Sequence, residues 1–371
     1  MDGSTAADAP GAADRTSLAG ELVDLGRRAG LAAVGVTDTS VLAGTREDLL
    51  ERRARGLHGD MQFTYRNPDR STDPSRLLRG ARSLVVGAWG YRRADDAPPA
   101  AGGRPTGRVA RYARHDHYAD LRAALGPVAD RLRAGGWRAT VVCDDNGLVD
   151  RAAAHRAGLG WYGRNTLLLL PGLGSWFVLG SVVTDAPLVA PDGQALPAAP
   201  ASGCGRCTRC LDACPTGALV APGVLDARRC LAWLVQAPGT FPERYREALG
   251  DRIYGCDDCQ EACPPNRTEA RRRPAVAAEP DSRPHVDLLG LLEATDAELL
   301  AAHGRWYLAG RDPRILRRNA LVALGNTGDG SDPATEAALV RYLDEGDPML
   351  AEHAEWAAHR LGRHDLTDRA A

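Results

Sequence analysis

Eight of the nine cysteines in this chain fall within residues 204–264, and no other feature limits the possible folds as tightly. The segment opens as Cys204-Gly-Arg-Cys207-Thr-Arg-Cys210-Leu-Asp-Ala-Cys214-Pro215, and a second half follows as Cys256-Asp-Asp-Cys259-Gln-Glu-Ala-Cys263-Pro264. Strict repetition would put a cysteine at 253, but that residue is Ile253, and Cys230, alone between the halves, is the substitute. Eight thiolates then divide into two sets of four, the number that each cubane 4Fe-4S cluster needs. Zinc knuckles favour separated C-x2-C pairs over three cysteines at consecutive x2 gaps followed by Cys-Pro. Disulfides would require export, and the sequence shows no export signal.

The C-x2-C-x2-C-x3-C-P run is that of bacterial ferredoxins, in which the fourth cysteine ligates the other cluster. Three thiolates on a short loop wrap one cube, and the cysteine before proline starts the next turn and points to its neighbour. One set is therefore Cys204, Cys207, Cys210 and Cys263. The other is Cys214, Cys230, Cys256 and Cys259.

With 371 residues the chain has room for two or three domains, and 44% hydrophobic with 25% charged residues is an ordinary globular composition. The net charge of −2 announces no nucleic acid by itself, so any such contact must come from local patches. No apolar run approaches the length of a membrane span, which with reduced cysteines predicts a cytoplasmic protein without membrane contact. Residues 1–16 read as a disordered tail. Helix and strand then alternate, with strands at Leu31–Val36, Ser83–Ala88, Ala139–Cys143 and Trp176–Thr184, and helices at Arg46–Arg55, Tyr118–Ala134 and Arg151–Ala157. Asn165–Leu170 also reads as a strand, and residues 93–107 as a flexible excursion.

This pattern predicts an α/β domain over 17–195, entered into the cluster domain through a Pro/Ala-rich linker. The cluster domain, 196–275, is ferredoxin-like, and 285–366 is a helical module. Within that module, 315–325 and 350–362 each end in Leu-Gly after an Ala-rich helix, the cadence of a HEAT-like repeat.

A pair of clusters is a wire unless something accepts the electrons, so the residues before them must hold a redox partner or substrate. They lack a G-x-G-x-x-G turn, which leaves a nicotinamide site unsupported. The informative stretch is Val141-Val-Cys-Asp144-Asp145-Asn-Gly-Leu-Val-Asp-Arg151, continuing to Ala157-Gly-Leu-Gly-Trp161 and Arg164-Asn165. A carboxyl at a strand end, raised by burial, could donate a proton; equally, Asp144, Asp145 and Asn146 could simply cap the helix that follows. The ninth cysteine, Cys143, follows Val141 and Val142 and reads as a small apolar filler. The cluster His115-Asp116-His117-Tyr118 offers metal-ligand residue types.

The chain resembles the epoxyqueuosine reductase family, cobalamin- and iron–sulfur-dependent enzymes of queuosine synthesis in tRNA. The resemblance runs from about residue 17 into the C-terminal helices. It rests on Ala157–Trp161 with Arg164-Asn165, Cys204–Pro215 with Thr216-Gly-Ala218, Leu225–Cys230, Arg252-Ile-Tyr254-Gly-Cys256-Asp-Asp-Cys259-Gln and Cys263-Pro264. It implies reduction of epoxyqueuosine to queuosine at the wobble position. Electrons from an external donor would pass through both clusters to give cob(I)alamin, with Asp144 as proton donor and Asp144, Arg164, Asn165, Cys256 and Asp257 lining the corrin. Asp145 stands where the family usually has a small residue, and the family's cationic residue before Pro74 aligns on Ser71, beside Arg70. The His115–Tyr118 cluster resembles a helix start in the family, which implies a helix cap and pocket wall rather than a metal site.

The partner implied is tRNA carrying epoxyqueuosine, acted on by a monomer. Between residues 305 and 320 five arginines stand against one aspartate, Asp312. Helical spacing puts Arg314, Arg317 and Arg318 on one face, fit for phosphates, with Trp306 and Tyr307 to stack on a base. The alternatives are a corrinoid reductive dehalogenase, which usually carries a twin-arginine leader and lacks the helical tail, and a non-enzymatic two-cluster electron carrier.

Overall fold

The computed structural model describes residues 12–94, 103–190, 203–272 and 276–368. The chain divides into two units, Met1–Gly56 with Asp60–Tyr91 and His117–Cys207, and Leu57–Gly59 with Arg92–Asp116 and Thr208–Ala371.

The first unit is built on a four-stranded sheet of β1 (Ala33–Asp38), β2 (Ser83–Gly90), β3 (Ala139–Cys143) and β4 (Phe177–Thr184). Its spatial order is β1-β2-β4-β3, and every neighbouring pair is antiparallel. Alternation of helix and strand led us to expect an α/β domain, which ordinarily means a parallel sheet. The pairing departs from that expectation. The connections from β1 to β2 (through Ala43–Ala54) and from β3 to β4 (through Asp150–Arg156) carry helices, but each returns the chain antiparallel beside its neighbour and makes no parallel crossover. β2 and β4 are central and almost wholly buried, which is why both read as continuous apolar runs (Ser-Leu-Val-Val-Gly-Ala and Val-Leu-Gly-Ser-Val-Val).

Helix α1 spans Ala12–Arg28, α2 Ala43–Ala54, α3 His117–Ala134 and α4 Asp150–Arg156. Residues 12–16, expected to be disordered, are thus helical, and residues 1–11 lie outside the described residues. Leu121, Leu125, Val128 and Leu132 recur at helical spacing and are fully buried where α3 packs on β2, β3 and β4. Each such leucine contributes about 1.5–3 kcal/mol of burial. Cys143 sits directly over Gly180, where a Cβ would collide with its sulfur. Burial pushes its thiol up to about 12, so it is an inert filler.

In the second unit, Thr106–Val109 is the middle strand of three, parallel to Arg252–Tyr254 and antiparallel to His285–Asp287. The end of the expected excursion, 93–107, is therefore a strand, while 95–102 lie outside the described residues, as does 191–202 of the expected linker. The tail helices α5 (Arg314–Thr327), α6 (Pro333–Asp344) and α7 (Pro348–Arg360) begin where sequence signals put them. Asp332 and Asp347 cap α6 and α7, with proline in the first turn of each. The two Leu-Gly segments meet: a Cβ at Gly325 would lie 2.9 Å from Ala357 Cα, so α5 and α7 pack at close range. Val322 of α5 shares a core with Leu231, Leu234, Val235, Phe241 and Leu249 of the cysteine-rich region. The helical tail and the cysteine-rich segment from Thr208 onward fall in one compact unit, where separate domains were expected.

Candidate functional site

The two cysteine runs fold alike. A four-residue helix, Arg209–Asp212, lies between Cys207 and Cys214, and its counterpart Asp258–Glu261 lies between Cys256 and Cys263. These two short helices pack on each other. Cys214 Sγ accepts a hydrogen bond from the Ala218 N–H at 3.2 Å, across a turn that Gly217 makes at φ +59°. Burial pushes the Cys259 thiol far above its ordinary value, and Cys256, Cys230 and Cys214 push in the same direction. Those four sulfurs therefore share one neighbourhood. Cys256 is driven up to about 12, chiefly by burial. Crowded, dehydrated thiols keep their protons unless a cation compensates, and the irons of a cluster supply that charge.

Of the other four, Cys210 and Cys263 are buried in the second unit. Cys204 and Cys207 belong to the first, joined by a turn in which Cys207 N–H donates to Cys204 C=O at 2.9 Å.

The carboxyl site is confined to the first unit. β3 ends at Cys143, and Asp144 turns the chain with φ +53°, a left-handed conformation that a non-glycine residue adopts at a cost of about 1 kcal/mol or more. Its side chain reaches solvent, yet enough protein surrounds the carboxyl that lost hydration raises it above the usual carboxylate range. Arg122 opposes this rise and Asp145 adds to it. Asp145 is occupied locally: its Oδ1 accepts from Gly147 N–H at 2.6 Å, an Asx turn. Of the two readings open at the sequence level, capping describes Asp145, whereas Asp144 receives no such bond among the described residues. The loop is pinned by Val149 N–H donating to Ser71 C=O at 3.0 Å.

Ser71 itself is fully buried and donates its hydroxyl to Thr64 C=O, so it cannot stand in for a cationic contact. Arg70 beside it lies at the carboxyl loop, its Nε 3.8 Å from where a Cβ on Gly147 would stand.

Arg164 donates to the backbone carbonyl of Gly205. Asn165 is buried, its Oδ1 accepting from Leu167 N–H at 3.3 Å, while its Nδ2 has no partner among the described residues. Trp161 Nε1 is likewise a sealed donor without a partner. In the second unit, Asp257 accepts from Arg111 N–H at 2.8 Å through one oxygen and leaves Oδ1 buried and unpartnered. Burial pushes its carboxyl up to about 6.

The expected phosphate face requires correction. Arg318 is 1% exposed and donates to the carbonyls of Leu234, Ala237 and Gly239. Arg317 is 7% exposed, paired with Asp296 and bonded to Ala294 C=O. Arg314 is exposed but paired with Asp312 at 2.7 Å and Asp347 at 3.0 Å. Trp306, expected to stack on a base, is buried and donates to Ala113 C=O at 3.0 Å. Residues 315–325 are buried without a break, so no face of that stretch is left for phosphate.

Sequence reasoning also missed Tyr118, Arg122 and Asp150 as neighbours of Asp144. Burial raises the Tyr118 phenol well above its ordinary value, with Asp144 and Asp150 adding to the shift. Tyr118 lies one residue into α3, where the family resemblance had implied only a pocket wall.

Residues 203–266 match a family described as a 4Fe-4S double cluster binding domain, so the chain carries two 4Fe-4S clusters. The epoxyqueuosine reductase of Burkholderia pseudomallei is 34% identical over 96% of this chain and 95% of its own length. That of Xanthomonas campestris pv. campestris is 36% identical over 95% and 98%. A crystal structure of epoxyqueuosine reductase with an epoxyqueuosine-modified tRNA-Tyr stem loop superposes with a TM-score of 0.83, at 29% identity, covering 95% of this chain and 93% of that one. The Bacillus subtilis enzyme, captured with its catalytic aspartate loop swung out of the active site, matches with a TM-score of 0.81, at 29% identity over 95% and 94%. The chain belongs to the epoxyqueuosine reductase family.

Proposed function

We propose that this protein reduces epoxyqueuosine in tRNA to queuosine, with electrons passing through its two 4Fe-4S clusters and Asp144 donating a proton to the epoxide oxygen. The observation that carries this reading is Asp144 itself, a carboxyl at a strand end, left-handed and raised by burial. A rise of this kind favours the protonated carboxyl, which can give its proton to an oxygen that develops negative charge and so make that oxygen a leaving group. The swung-out aspartate loop of the Bacillus subtilis enzyme supports a mobile donor of this kind, and Asp144 lies on the loop joining β3 to α4.

Cobalamin is the cofactor that the unpartnered polar atoms fit. A corrin is rimmed by amides, which both accept and donate hydrogen bonds. Buried Asn165 Nδ2 and Trp161 Nε1, both in the first unit, each offer it a donor. Arg164, also in the first unit, completes that set. When bound, cobalamin supplies the strongly reducing metal centre that carbon–oxygen cleavage requires, while the protein positions it and excludes water. We assign the eight cysteines to the clusters in the two sets given above, and place the enzyme in the cytoplasm with its tRNA substrate. Among the described residues no helix is long and apolar enough to cross a membrane.

The test is Asp144→Asn. The variant should keep its iron and bind cobalamin as the native protein does, while turnover falls ~10²-fold or more. Unchanged turnover would remove Asp144 from the reaction.

A further inference from the structure

The reduction assigned above consumes two protons, and Asp144 can give only one before it must be recharged. The loop that carries Asp144 ends at Asp150, the first residue of α4. Asp150 Oδ1 is sealed from solvent and has no hydrogen-bond partner among the described residues. A carboxylate in that setting would lose its hydration with nothing to replace it. Arg151 is the charge that opposes this, but one arm of its guanidinium donates to Thr166 C=O at 2.9 Å.

The groups facing Asp150 are mostly acids or neutral: Asp144 and Asp145 on its own loop, Cys143 at the end of β3, and Tyr118 on α3. Arg122 faces Asp144 and Cys143, and Arg70 lies beside Gly147. Burial first, then Asp144 and Asp145, hold the Asp150 carboxyl well above the usual carboxylate range, with Arg151 opposing. A capping role is no explanation, because no backbone N–H among the described residues donates to it.

We propose that Asp150 is the reserve acid of this site, restoring to Asp144 the proton that Asp144 has given to the substrate. The proposal rests on the epoxide reduction assigned above. Asp144 O–H protonates the epoxide oxygen as one C–O bond breaks. Asp150 O–H then passes its proton to the Asp144 carboxylate. The second C–O bond breaks as the C=C bond forms, and the oxygen leaves as water with that second proton. An external low-potential one-electron donor supplies the two electrons through the clusters. After product release solvent reprotonates Asp144, whose side chain reaches it, and through Asp144 restores the proton of Asp150.

Infrared difference spectroscopy of the iron- and cobalamin-loaded enzyme, in H2O and D2O, reads Asp150 directly. A deuterium-sensitive protonated-carboxyl band should be present in the native protein and in Asp144→Asn, and absent in Asp150→Asn. A spectrum in which Asp150→Asn leaves every such band in place overturns the proposal. Should that variant fail to fold, Asp150→Glu serves instead: it keeps the acid and must shift the band, and an unmoved band is equally fatal.

Turnover gives the second arm. Asp150→Asn should lose ~10²-fold near pH 8, with the loss narrowing toward pH 6 as solvent protons substitute, and Asp150→Glu should recover most of it. A loss independent of pH means Asp150 only shapes the loop, and the proposal fails. If the native enzyme does not reduce the epoxide at all, the functional assignment has failed, and the infrared arm still decides whether Asp150 holds a proton.

Discussion

Asp145 lies between Asp144 and Asp150, the two proposed proton donors, and its own carboxyl closes an Asx turn onto Gly147. Its charge nonetheless helps to hold Asp144 above the usual range. Asp145→Asn keeps the turn, because an amide oxygen accepts the same hydrogen bond, and removes the charge. Asp144 then ionises at lower pH, so the alkaline fall of turnover moves to lower pH in a pH–rate profile; an unmoved profile would show that Asp145 does not tune the donor. Asp144 was legible in the sequence as a carboxyl ending a strand before a turn. Asp150 was not, since an acid opening a helix looks like any favourable helix start, and only the tertiary structure shows its Oδ1 sealed and unpartnered among the described residues.

Helix α5 shows how far periodicity reaches. Spacing brought Arg314, Arg317 and Arg318 into one group, but the carbonyls of Leu234, Ala237 and Gly239 that engage Arg318 lie some eighty residues away in sequence. No local pattern reports such partners. Arg318→Met should therefore destabilise the protein by about 3 kcal/mol or more, since it strands several buried acceptors. In chemical denaturation this appears as a lower midpoint, whereas the salt dependence of tRNA binding by the folded variant stays as in the native protein. A flattened salt slope with unchanged stability would return Arg318 to the phosphate contacts.

The neighbouring α7 carries a pH signature. His353 is fully buried, accepting from Phe241 N–H at Nε2 and donating Nδ1–H to Met349 C=O. Burial lowers it to about 4, so between that value and its unfolded value near 6.5 the unfolded chain binds the extra proton. Stability contributed by neutral His353 is thus full above about pH 6.5 and is lost as pH falls toward 4. His353→Gln should flatten the acid limb of the melting temperature, and an unaltered limb would place the titration elsewhere.

At the scale of the molecule, the cysteine spacing was enough to anticipate two clusters, because ligand count and order are written in the chain. The architecture around them was less legible. Segment 106–109 joins the second unit as its central strand, a pairing of residues far apart in sequence that no local propensity encodes. The helical tail likewise looked separable, although Val322 packs among the residues that follow Cys230. Anaerobically prepared protein should contain about eight irons, and Cys230→Ala about four, if Cys230 completes the second set. Eight irons in the variant would give that place to another ligand.

The central claim is that this chain removes the epoxide oxygen of a tRNA nucleoside. Mass spectrometry of the modified nucleoside, after anaerobic incubation of epoxyqueuosine-containing tRNA with the reduced, cobalamin-loaded enzyme, tests it directly. The account predicts a product lighter by one oxygen atom; a nucleoside of unchanged mass, with both clusters intact and cobalamin bound, would contradict it.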